Sequence, residues 1–151
     1  MLRMSMLADY GTVILVRMAR EPARVMSAAH LAAETRLAAP TVSKVLKLLA
    51  SRALVVASRG KNGGYLLTRQ PDEISVADII EAVDGPWGLT QCVIEPGACP
   101  QESSCAALGP WHRVSRALRG ALAKITLDEM TDSPPPRSGR VEGIRLWPEE
   151  G

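Results

Sequence analysis

Apolar and polar positions along this chain follow two different periods, and the changes between them mark out the predicted elements. From Ala8 to Ala19 the apolar residues Tyr10, Val13, Ile14, Val16 and Met18 suit a first helix, with Asp9 near its start. Glu21-Pro22 ends it, because a residue before proline is pushed out of helical geometry. Ser27 can cap a second helix, Ala28 to Glu34, with Leu31 facing inward. After a connector, Thr35 to Ala38, a third helix opens at Pro40, whose fixed φ and missing N–H suit a first helical position. Val42, Val45, Leu46, Leu49 and Leu54 give it an apolar stripe, while Ala39 before it offers no capping side chain. The period then shortens. Leu54 to Ser58 and Tyr65 to Arg69 are β-like runs, and the Asn62-Gly63 pair between them predicts a hairpin turn. Ser75 and Asp78 resemble a capping box with Asp in place of Glu, opening a fourth helix from Val76 to Val83 that Asp84-Gly85-Pro86 stops.

A stretch rich in Gly, Pro and Ser follows and should loop. Gly109-Pro110 announces a last long helix, in which Trp111, Val114, Leu118, Leu122 and Ile125 recur at intervals of three or four, the pattern of an a/d seam. Such a seam packs either on its own domain or on a second copy of the chain, and exposed apolar stripes are rare on monomers. From Ser133 the run Ser-Pro-Pro-Pro-Arg-Ser-Gly-Arg has the composition of disordered chain, and Trp147 within this tail has no assigned role.

Helix, short turn, helix and then a glycine-rich hairpin is the order of a winged helix-turn-helix. The expected fold is therefore mainly α, with a two-stranded wing and a long C-terminal dimerisation helix. Residues 1–84 would form the DNA-binding domain, 85–108 a cysteine-bearing loop, 109–132 the dimerisation helix and 133–151 the tail.

With 151 residues the chain can bury one ordinary core. Aromatic residues are 3% with no Phe, so that core must be built from Ala, Leu, Val, Ile and Met, which favours helices. A net charge of +2 is too mild to identify a partner, but its distribution is informative. Lys44, Lys47, Arg52, Arg59, Lys61 and Arg69 fall in a stretch with no acid between Thr35 and Pro71. The second helix of a helix-turn-helix fits a major groove and points its N-terminal residues at base edges. Here those are Thr41, Ser43 and Lys44, with Lys47 one turn on, and Arg59 and Lys61 at the hairpin tip can enter a narrow minor groove. A single exposed Lys would be read as a solvated surface charge, but a whole acid-free basic stretch on this element order points to double-stranded DNA. The uncapped start of the third helix leaves N–H groups that a DNA phosphate would satisfy.

All three cysteines lie in one window, Cys92, Cys99 and Cys105, separated by six and five residues. Thiolate is the preferred ligand of iron–sulfur clusters and zinc. An odd count argues against a disulfide framework, and the absence of Cys-x-x-Cys lowers the odds of structural zinc. Three unrelated buried thiols, or a thiol–disulfide switch, remain open at this point. No signal peptide and no span-length apolar run is visible, so a reducing cytoplasmic setting is expected, without membrane or small-molecule substrate. Nothing supports a metal-dependent enzyme: the chain has two His, no paired acid–base constellation, and a Gly60–Gly64 run without the Lys-Ser/Thr of a phosphate loop.

The wing Arg59-Gly60-Lys61-Asn62-Gly63-Gly64-Tyr65-Leu66-Leu67, the helix Ile79-Ile80-Glu81-Ala82-Val83-Asp84 and the three-cysteine loop together resemble the Rrf-type winged-helix regulators. The resemblance runs from about Met4 to Asp132 and includes Ile125 to Met130 as the end of a dimerisation helix. It is closest to regulators of SUF-type iron–sulfur cluster assembly, with the nitric-oxide or redox sensors of the NsrR type as the alternative. It implies a homodimer that reads a near-palindromic operator, and a cluster, [2Fe–2S] favoured over [4Fe–4S], on Cys92, Cys99 and Cys105. In this family both apo and holo forms can bind DNA, so the sign of regulation is not readable from the sequence, and repression is carried as an expectation only. IscR-like members complete the ligand set with a His three residues past the last cysteine, where this chain has Leu108. The fourth-ligand candidates are Asp9, since NsrR-like members place an acid there, and second His112.

Overall fold

Ser5 caps the first helix: its hydroxyl accepts from the Ala8 N–H at 3.0 Å, and α1 runs Met6–Ala19, two residues earlier than the periodicity suggests. The structure, a computed structural model, describes residues 4–132, so the tail from Ser133 predicted to be disordered lies outside the described residues. α2 (Ala28–Thr35) starts where expected, with the Ser27 hydroxyl accepting from the His30 N–H at 3.1 Å. It ends on Arg36 in the left-handed region, φ 58°, which turns the chain into α3 (Ala39–Ser51). Pro40 thus sits inside the first turn rather than opening the helix. The cap position belongs to Ala38, which also lacks a capping side chain.

The wing is antiparallel, β1 (Val55–Ser58) on β2 (Gly64–Leu67), in register Val55↔Leu67 to Ser58↔Gly64. The tip is a five-residue loop, not a two-residue Asn62-Gly63 turn. Gly60 takes the positive φ, 114°, and the Gly63 N–H donates to the Gly60 carbonyl at 3.0 Å. Gly64 is required for a different reason: a Cβ there would lie 2.5 Å from the Met26 carbonyl oxygen. That close approach is the Met26↔Tyr65 bridge, which lays the segment before α2 against the wing.

α4 (Val76–Asp84) carries the expected capping box, with the Asp78 N–H donating to the Ser75 hydroxyl at 3.1 Å and the Ser75 N–H to the Asp78 carboxylate at 3.0 Å. Gly85, φ 80°, ends it. Ile14, Leu15 and Met18 of α1, Leu31 of α2, Val42, Val45, Leu46 and Leu49 of α3, and Ile79 of α4 close into one core around Leu54 and Ile74. Burying each large apolar side chain contributes about 2 kcal/mol, so this cluster fixes the pose of α3.

Past α4 the structure departs from the sequence reading. The cysteine window holds a short helix, α5 (Gln91–Ile94), besides a 3-10 turn, Glu102–Ser104. The long final helix is two helices, α6 (Leu108–Leu122) and α7 (Leu127–Asp132). The break has a local cause. The Thr126 N–H donates to the Glu129 carboxylate at 3.0 Å and the Glu129 N–H to the Thr126 hydroxyl at 3.3 Å, a further capping box that starts a new helix. Thr126 bridges Ser75, Leu127 is fully buried, and α7 packs on α1. Residues 127–132 therefore form a separate helix packed on α1, not the end of one long helix running to residue 132.

Candidate nucleic-acid interface and cysteine loop

On α3 the core takes Val42, Val45, Leu46 and Leu49, which turns Lys44 and Lys47 to the opposite, exposed face. Thr41 and Ser43 sit half-buried on its flanks. Arg59 and Lys61 are exposed on the wing tip. Among the described residues none of these four cations forms an ion pair, whereas Arg69 does: its guanidinium is 3.9 Å from the Asp78 carboxylate and donates to the Glu73 carbonyl at 3.1 Å. An acid-free stretch of sequence is not acid-free in space, because α4 brings Asp78 and Glu81 to the cleft that Arg52 and Arg69 line. Arg36, exposed in the turn between α2 and α3, is a cation that the sequence reading passed over, although it lies in the same acid-free stretch.

An ion-pair network braces the helix-turn-helix from behind. Arg17 of α1 hydrogen-bonds Glu34 of α2 and, at 2.8 Å, Glu21, which also meets Arg24 at 2.8 Å. The Arg17 hydrogen bonds hold the Glu34 and Glu21 carboxyls below their ordinary 4.5 and raise the Arg17 guanidinium further.

The cysteine loop joins α4 to α6. Cys92, on α5, is buried, and its Sγ lies 3.2 Å from the Thr90 hydroxyl. Cys99 and Cys105 are half-buried, and all three are thiols rather than disulfides. The loop is tied to α6 by the Leu89 N–H, which donates to the Ser115 hydroxyl at 3.3 Å, and Ser115 is the one buried residue of α6. One turn on, Arg119 pairs with Glu81 of α4 at 2.9 Å. Trp87, on the same loop, has an indole N–H that is buried and without a hydrogen-bond partner. Ser115, Thr90 and Trp87 carried no sequence signal beyond their nearness to the cysteines.

Asp9 is exposed on the outer face of α1, and His112 is half-buried in the first turns of α6. Among the described residues no three His, Cys, Asp or Glu side chains are gathered as a metal cage, so neither candidate stands with the thiols as a completed set. By chemistry the donor set fits iron–sulfur ligation: three reduced thiols on one short segment. No helix among the described residues is long and apolar enough to cross a membrane.

The same architecture is found in known proteins. A family model described as Rrf2, an iron-dependent transcriptional regulator, matches residues 4–133. The chain belongs to the Rrf2 family. The HTH-type transcriptional regulator IscR of Cronobacter sakazakii is 33% identical over 92 residues, covering 61% of this chain and 56% of IscR, so the match spans little more than half of that relative. CymR, the global cysteine regulator of B. subtilis, superposes with a TM-score of 0.67 at 26% identity, covering 87% of this chain and 97% of CymR. T. potens IscR superposes with a TM-score of 0.63 at 26% identity, covering 85% of each chain. These Rrf2-type relatives are transcriptional regulators, not enzymes.

Proposed function

We propose that this Rrf2-family regulator is a cytoplasmic homodimer that senses iron–sulfur status and represses cluster-assembly genes of the SUF type. Cys92, Cys99 and Cys105 would hold the cluster, [2Fe–2S] in preference to [4Fe–4S]. Asp9, or failing it His112, would be the fourth ligand. Asp9 is exposed on α1, which leaves its carboxylate open to a ligand role. When bound, the cluster supplies a redox-active, oxidant-labile centre whose presence reports iron and sulfide supply. The protein's own groups do the rest. Thr41, Ser43, Lys44 and Lys47 read a major groove, Arg59 and Lys61 reach the flanking minor groove, and two copies match a near-palindromic operator.

The observation that carries the reading is the position of the thiols. They sit on the one segment that joins the DNA-reading body to α6, hydrogen-bonded to α6 through Ser115. α6 presents an apolar stripe outward, with Trp111 and Val114 both more than 40% exposed, as a face that a second copy would cover. A change at the loop therefore bears on how two heads are spaced.

Anaerobic purification with iron and sulfide counts, then footprinting of cluster-loaded and cluster-free protein upstream of assembly genes, tests this. The expected result is a coloured dimer whose operator occupancy changes on cluster loss. Iron-free protein as isolated, with occupancy unchanged after anaerobic reconstitution, would sink the proposal.

A further inference from the structure

Thr90 occupies the cap position of α5 without acting as a cap. A threonine there normally accepts a hydrogen bond from the second or third N–H of its helix. Here the side chain makes no such bond; the third N–H, that of Val93, goes instead to the Thr90 carbonyl at 3.1 Å, as does the fourth, that of Ile94, at 3.3 Å. The hydroxyl is left for sulfur and lies 3.2 Å from Cys92 Sγ. The three cysteines differ in this respect. Cys92 is 7% exposed, whereas Cys99 and Cys105 are half-buried. Among the described residues neither of those two has a side-chain hydrogen-bond partner. Water can solvate their sulfurs, but for the Cys92 sulfur the hydroxyl takes water's place.

We propose that Thr90 is a positioning residue that donates its O–H to the Cys92 sulfur when that sulfur ligates the iron–sulfur group, and so sets the potential and retention of the group at its buried corner. This rests on the reading above, that Cys92 is a ligand. Ligation fixes the direction of the hydrogen bond: a ligating cysteine is a thiolate with no S–H, so the hydroxyl must donate. A donor on a ligand sulfur draws off negative charge and favours the reduced, more negative state, which raises the reduction potential. It also orients the ligand, and losing such outer partners typically costs about 10–100-fold in metal affinity.

Thr90→Val removes the hydroxyl but keeps the shape, and the backbone at this position, φ −135° and ψ 156°, is extended geometry that a β-branched residue favours. The full chain is reconstituted anaerobically as wild type, Thr90→Val, Thr90→Ser and Cys92→Ser. Each is followed by redox titration and by the rate of cluster loss to a chelator. The Val variant is expected to have a more negative midpoint potential and about tenfold faster loss, and the Ser variant to return both toward wild type. Thr90→Ala, which also lacks the hydroxyl, is expected to repeat the Val result in sign and guards against a Val side chain that does not pack. Wild-type potential and loss rate in both Val and Ala variants would overturn the proposal, as would equal changes in the Val and Ser variants. A Cys92→Ser protein with the wild-type spectrum and lifetime would overturn the ligand assignment itself, and this role with it.

Discussion

Lys44 projects from the outer face of α3 with no ion-pair partner among the described residues, so handing its charge to a phosphate breaks nothing inside the protein. Arg69, a member of the same basic stretch, is already engaged by Asp78 and the Glu73 carbonyl. The two should therefore behave differently. Lys44→Ala is expected to weaken operator binding and reduce the slope of log affinity against log salt by about 1, while Arg69→Ala leaves the slope unchanged. Fluorescence anisotropy across a potassium chloride series measures both, and an unaltered slope for Lys44→Ala would move the groove-reading face off α3. The start of α3 invites a second prediction. Ala38→Ser supplies the missing cap and should stabilise the free protein by about 1 kcal/mol in urea unfolding. If a DNA phosphate normally uses those N–H groups, the same change should lower operator affinity. Stabilisation with affinity untouched would show that the phosphate binds elsewhere.

α1 and α2 are joined at the surface by Arg17, and the pH dependence of that joint follows from the direction of the shifts. Glu34 and Glu21 are held below 4.5, each chiefly by its hydrogen bond to Arg17, so between their folded and unfolded values the unfolded chain binds more protons. Stability then rises with pH: the contribution is present above 4.5 and is lost as pH falls through the lowered values. Arg17→Met keeps the packing and removes the charge. The gap in melting temperature between wild type and variant should be widest near neutrality, close as pH drops below 4.5, and shrink in high salt, since these carboxylates face water. A gap independent of pH would assign the effect to packing. Elements like these were legible where local signals coincided: Glu21-Pro22 stopped α1, Ser27 capped α2, and Ser75 with Asp78 boxed α4. Where two signals competed, the longer one misled. Ile125 continues the three–four spacing of α6, and that hid the Thr126-x-x-Glu129 box that starts α7 one residue later. Asn62-Gly63 looks like a turn in sequence, but Gly63 and Gly64 are small because backbone carbonyls lie 2.5 Å from where a Cβ would be. At the cysteine loop the ligand type could be read from sequence and the geometry could not. Whether the Thr90 hydroxyl meets an N–H or a sulfur depends on how the chain turns at α5.

α6 is what remains of the predicted long helix after α7 is returned to the body, and it is attached there by few contacts. Trp111 and Val114 of its stripe are exposed, while Leu118 and Leu122 are half-buried on the side of Ser115. In the proposed homodimer, Val114→Glu should give monomers by sedimentation equilibrium and cost operator affinity about 100-fold, because the second head would no longer bind as a tethered partner. A dimer that survived this change would use another face. A polar seam holds α6 to the cysteine loop and to α4, Ser115 on the Leu89 N–H and Arg119 on Glu81, and that seam starts three residues before Cys92. If cluster occupancy shifts the spacing of two heads, this seam lies on the route. The coupling it carries must also be reciprocal: DNA that prefers the loaded form must tighten cluster binding by the same factor. A Ser115→Ala, Arg119→Ala double variant should therefore still dimerise and still bind DNA when cluster-free, yet bring the ratio of loaded to unloaded operator affinity toward one. The operator's effect on cluster lifetime should fall in step. Loss of one effect without the other would break the thermodynamic cycle and rule out the seam as the link.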